Sequence, residues 1–138
     1  MREPLVVAVG LLALVSFIAG ATAIGDNVIG TWVNVDPDTG GLVQLVFLPD
    51  GLGGIQVFGY GACTPDPCEW GAAPLIPLVY PASYDPAEWG MAVWDFGGGM
   101  MTVAIIRLEG EYMVVEDYSI LGPGSGGMKG ISLLRYVP

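Results

Sequence analysis

From residue 26 onward, Gly, Pro and Asp recur every eight to twelve residues, and the runs between them are rich in Val, Ile, Leu and aromatics. That rhythm predicts short strands joined by tight turns. The expected strands are 28–35, 42–48, 55–61, 73–80, 89–96, 101–108, 112–120 and 130–136. The turns hold suitable residues, among them Asp36-Pro37-Asp38-Thr39-Gly40-Gly41, Pro49-Asp50-Gly51, Gly97-Gly98-Gly99 and Glu109-Gly110. Gly supplies positive φ there and Pro presets the entry angle. Short connections favour antiparallel hairpins, and eight such strands close into an all-β, eight-stranded antiparallel up-and-down barrel without exposed edges. An open-edged sandwich is the competing arrangement. No internal repeat is present, and helical character is confined to the first 25 residues.

That first segment divides the chain into 1–25 and a domain over 26–138. Residues 4–25 carry no charge, and 5–23 are almost wholly apolar. They fit a secretory signal, with Ala21-Thr22-Ala23 as a small-x-small cleavage site and Arg2 as a weak positive end. They equally fit one apolar N-terminal helix retained as a transmembrane anchor, since at about 1.5 Å per residue it reaches the roughly 30 Å of a bilayer core. Either way the rest is exported. No lipobox-like Cys follows the segment, so no lipid anchor is indicated.

Four basic residues face fourteen acidic ones, a formal charge of -10. Nucleic acid is thereby excluded as a natural partner, because phosphates are bound by clustered Lys and Arg. The same charge repels anionic headgroups, so a fixed orientation at a membrane calls for another membrane protein. Two strands, 42–48 and 101–106, are apolar on both faces. Either the outer wall carries ordinary apolar surface, or part of it meets a partner or the membrane edge.

The first strand opens with Gly30-Thr31-Trp32-Val33-Asn34. This resembles the start of calycin barrels of the avidin and lipocalin type, which begin with Gly-x-Trp and commonly cover that indole with an Arg from the last strand. The resemblance implies structural roles for Gly30 and Trp32, with Arg135 as the covering residue. In avidin-type barrels the Asn two positions after the Trp contacts a biotin ureido group, and Asn34 stands there. Asp38, however, occupies a place where a serine is expected, and later strands offer few hydroxyls. Trp32 and Asn34 are therefore the expected contacts for some other small apolar ligand, if the barrel holds one.

The stretch Cys63-Thr64-Pro65-Asp66-Pro67-Cys68-Glu69-Trp70-Gly71 is similar to a loop in a group of small, functionally uncharacterised bacterial proteins that also carry the Gly-Thr-Trp-x-Asn start. Many of those have His after the first Cys; this chain has Thr64, so no metal or acid/base role is carried over to that position. In an oxidising exported compartment Cys63 and Cys68 are expected to pair, contributing about 2 kcal/mol by loop entropy. Redox catalysis would call for a Cys-x-x-Cys in a βαβ context, and neither is present.

Catalysis has little to work with. There is no His, the commonest general base and metal ligand near neutral pH. Glu109 and Glu111 flank a hairpin turn, and Glu116 and Asp117, adjacent on a strand, point to opposite faces. Asn34, Asp36 and Asp38 hint at calcium, but an EF-hand loop needs Gly at Thr39 and Glu at Leu45, so a plain turn is expected. No cofactor and no metal are implied. The expectation is a noncatalytic accessory subunit of a membrane protein complex, anchored through 5–23, with its barrel on the periplasmic side of an inner membrane and Trp70, Trp89 and Trp94 as partner anchors. The alternative is a cleaved, secreted or periplasmic barrel that binds a small apolar or aromatic ligand.

Overall fold

A computed structural model describes residues 24–79 and 89–138. The expected N-terminal helix lies outside the described residues, apart from its last two positions, as does Tyr80 at the end of the expected fourth strand. Among the described residues no helix is long and apolar enough to cross a membrane.

A 3-10 turn at Asp26–Val28 leads into nine strands: β1 Gly30–Asn34, β2 Leu42–Pro49, β3 Ile55–Gly61, β4 Cys68–Pro74, β5 Ile76–Leu78, β6 Trp89–Gly97, β7 Met100–Glu109, β8 Tyr112–Leu121 and β9 Gly127–Val137. All pairings are antiparallel, in the order β4-β3-β2-β1-β9-β8-β7-β6-β5. The result is an all-antiparallel, nearly closed β-barrel, compatible with a calycin-like architecture.

Nine strands stand where eight were expected, and the difference lies at the fourth. The chain enters the sheet at Cys68, earlier than residue 73, and pairs with β3 as far as Pro74. After Leu75 it resumes as β5 and pairs with β6. The two edges of the sheet are thus consecutive pieces of chain, which is how the barrel comes close to closing. β4 is irregular because its register against β3 shifts between Gly59 and Tyr60, and Gly71 adopts φ +85°. The bulge breaks the two-residue alternation by which a strand is recognised. Pro77 is tolerated in β5 because that strand is a sheet edge with one side unpaired.

Elsewhere the pleat sorts side chains as the sequence pattern requires. On β7, Thr102, Ala104 and Ile106 point inward and are buried, while Met101, Val103 and Ile105 face out. On β3 the inward set is Val57, Gly59 and Gly61. The interior is filled by Leu45, Phe47, Val57, Ile106, Met113, Val115 and Leu134, all shut off from solvent. A filled core of this kind supplies most of the folding free energy of so small a domain.

Candidate functional site

The two ends of the barrel differ. One has a floor: Ile24 and Val28 fold back into the core cluster. The Trp32 indole N–H donates to the Val28 carbonyl at 2.8 Å, tying the first strand to the turn before it. The ring of Tyr136 packs edge-on against Trp32, with centroids 5.4 Å apart, and occupies the space a side chain at Gly30 would need. Arg135, expected over that indole, stands opposite Val33 and Tyr112 in the ladders and shares with Trp32 only the lining of a shallow depression. The covering ring is Tyr136.

Asn34 is engaged elsewhere. Its amide nitrogen donates to the Leu42 carbonyl at 2.8 Å and its oxygen accepts the Asp36 N–H at 2.9 Å, so both ends hold the β1–β2 turn. Asp36 in turn accepts the Asp38 N–H at 2.9 Å. These are local side-chain turns, and they account for the Asn34, Asp36, Asp38 spacing. Trp32 and Asn34 are therefore engaged at the floor and at the β1–β2 turn respectively.

The three tryptophans read as partner anchors occupy three different places. Trp94 is 2% exposed and belongs to the core, so its ring is not presented to a partner. Trp70 packs edge-on against Trp94 and Phe96, with centroids 5.3 and 6.3 Å apart, at the open end. Trp89 is half-buried on the outer wall, with the Arg107 guanidinium 5.1 Å from its ring. Arg107 also bonds Glu109 at 2.8 Å and faces Glu116 at 3.7 Å.

The open end is a mouth of about 270 Å³, lined by Leu42, the Cys63–Cys68 bridge, Trp70, Asp117, Ser119 and Met128, with Gly40, Gly41, Gly61 and Ala62 at its rim. The expected disulfide is formed, with Cα atoms 5.4 Å apart, and it braces the loop that enters β4. Asp117 faces inward on β8, in line with Met113 and Val115. Its cross-strand neighbours are Ala104 and Gly130, both small, and a Cβ at Gly130 would collide with the carboxylate. Burial raises the Asp117 carboxyl from its ordinary value, offset in part by a hydrogen bond from its own backbone. One inward position further along β8 toward the rim, the hydroxyls of Thr102 and Ser119 lie 2.8 Å apart, and whichever donates, one O–H remains for another acceptor.

Asp117 is the residue that sequence reasoning passed over. The pleat separates Glu116 and Asp117 as expected, and Asp117 is the one that faces inward. The signal was present: counting in twos from Met113 through Val115 puts Asp117 in the apolar phase of the strand. Chemically, one inward carboxylate beside an indole, a thioether and a disulfide can attract and seat a cation. Among the described residues no group of three His, Cys, Asp or Glu side chains is placed to hold a metal ion.

The outer wall is the other candidate. Val35 just past β1, Ile131 and Leu133 on β9, and Tyr118 and Ile120 on β8 are exposed, and the partly buried Val103, Ile105 and Met101 continue that surface across β7. Ile131 alone is 67% exposed. The polar residues within it are satisfied inside the chain: Tyr118 donates to Glu116 at 3.2 Å, and the Lys129 ammonium lies 5.5 Å from the Tyr118 ring. The chain matches no protein-family model, and no curated protein or solved structure shows significant similarity to it.

Proposed function

We propose that this is a noncatalytic accessory protein whose barrel works by packing against a partner protein. In this reading residues 5–23 anchor it in an inner membrane, the barrel stands on the periplasmic side, and the outer wall of β1, β9, β8 and β7 meets a subunit of a larger membrane assembly. The observation that carries the proposal is the pairing of a filled interior with an apolar exterior. Core residues such as Phe47, Leu45 and Leu134 are packed in the interior and shut off from solvent. Meanwhile Ile131 and Leu133 remain in solvent on a two-faced sheet, where a simply wetted surface would alternate polar and apolar residues. Charged groups already paired within that wall lower the desolvation cost of covering it.

The test is intact-mass analysis of membrane and soluble fractions, with native co-purification of the full-length chain and of its Ile131→Glu variant. A full-length mass in the membrane fraction, with companion subunits lost on the Ile131→Glu substitution, supports the reading. A soluble species starting near Ile24 with no companion overturns it.

A further inference from the structure

The mouth lies on the inner face of the sheet, at the end away from the Trp32 floor, and the packing role proposed above makes no use of it. Its central feature is a half-buried carboxylate with no cationic partner among the described residues. Arg107 is engaged with Glu109 and Glu116, Lys129 lies over Tyr118 on the outer side of β9, and Arg135 sits by Trp32 at the other end. The space around Asp117 is kept open by the small residues Ala104 and Gly130 that flank it in register. A carboxylate moved out of water without a counter-charge is costly, and a fold keeps that cost low by pairing it or by protonating it. Here no counter-charge is supplied by the described residues, and the cavity beside the carboxylate is open to solvent.

The lining selects among cations. A divalent metal ion asks for several oxygen ligands, and only one carboxylate faces this cavity. An organic ammonium asks for one counter-charge and an apolar or aromatic surface for its carbons, which Trp70, Met128 and Leu42 provide. A volume of about 270 Å³ suits a small amine and excludes a long chain or a peptide. The formal charge of -10 raises the local concentration of any cation at such a mouth.

We propose that the mouth is a binding site for a small organic monocation, a primary or quaternary ammonium with a short apolar arm, whose charge is met by Asp117 and whose carbons rest against Trp70 and Met128. The site is independent of the outer wall, so the two proposals fail or stand separately.

The experiment titrates the full-length protein with phenethylamine and with tetraethylammonium, following tryptophan fluorescence, against 2-phenylethanol and sodium chloride at matched ionic strength. The expected result is saturable binding of at least one ammonium probe, weaker by about tenfold or more for the neutral alcohol and for Asp117→Asn, which corresponds to about 1.4 kcal/mol. Gly130→Ala, which displaces the carboxylate without removing it, is expected to weaken binding in the same direction and carries the test if the Asn variant does not fold. Equal binding of amine and alcohol, unchanged binding in both variants, or no saturable signal with millimolar ammonium overturns the proposal.

Discussion

Trp94 donates its indole N–H to the Gly71 carbonyl at 3.0 Å, spanning from β6 to β4 where no backbone ladder joins the two strands. That bond and the edge-on contact with Trp70 seal the gap between the sheet's edges. Trp94→Phe removes the donor, strands a partly buried carbonyl and leaves a void. A loss of about 2–3 kcal/mol is expected, measured by urea denaturation at constant slope. A loss below about 0.5 kcal/mol would show that the seam is held by other contacts.

The floor depends on Trp32 in the same way. Trp32→Phe keeps the ring contact with Tyr136 and removes the bond to the Val28 carbonyl, at an expected cost of about 1–2 kcal/mol. Its distinguishing signature is local: amide exchange at residues 26–29 should accelerate more than exchange in β7 and β8.

Asp117 gives stability an unusual pH dependence. Its carboxyl is raised in the folded state, so between its unfolded and folded pKa values the native protein holds more proton than the unfolded chain. Its contribution is therefore most favourable in acid and declines as pH rises through that window. The groups lining its cavity, Leu42, Trp70, the Cys63–Cys68 bridge, Ser119 and Met128, do not titrate there. Asp117→Asn should be more stable than the parent at neutral pH, with the difference shrinking toward roughly pH 3, where both side chains are uncharged. A difference that grows on acidification would contradict the desolvated carboxyl.

Reduction of the Cys63–Cys68 bridge, or its replacement by Cys63→Ala with Cys68→Ala, releases a loop closed over a separation of five residues. The loop-entropy relation gives about 2 kcal/mol for a ring this small. Thermal unfolding with and without reductant checks it, and the double variant should melt at the reduced protein's temperature.

On the outer wall, Ile131→Lys and Leu133→Asp are expected to change folding stability by no more than about 0.5 kcal/mol, because both side chains already meet solvent. They should nonetheless abolish co-purification of companion subunits. Intact association in both variants would remove the wall from consideration as a docking face.

Turn chemistry and alternation carried most of the architecture. β2, β3, β6, β7 and β8 stand within a residue or two of their expected bounds, because each is an apolar-rich run closed off by Gly- or Asp-bearing turns. The errors share a cause: an interaction distant in sequence. β1 starts at Gly30 and not at residue 28 because Val28 is pulled into a 3-10 turn under the Trp32 indole. β4 starts early because its partner β3, and not its own alternation, dictates where it pairs. Tyr136 lies against Trp32 because the β1–β9 register puts those two directly opposite, while Arg135 falls on the other side of the pleat. The mouth was hidden for a similar reason: Trp70 and Asp117 meet around one cavity only when the sheet curls, and neither is marked as a neighbour of the other by spacing along the chain.

Thr31 pairs with Val137, so the strand that enters the barrel and the strand that leaves it run side by side at the floor. The polypeptide arrives and departs through the same end, and the Asp117 mouth looks the other way. A tether attached through the residues before Ile24 would hold the molecule like a cup on its base, with its rim turned outward. Fusing a reporter after Pro138 would load the base and leave the rim clear, whereas a tag inserted in the loop between β8 and β9, near Gly124, would stand directly beside it.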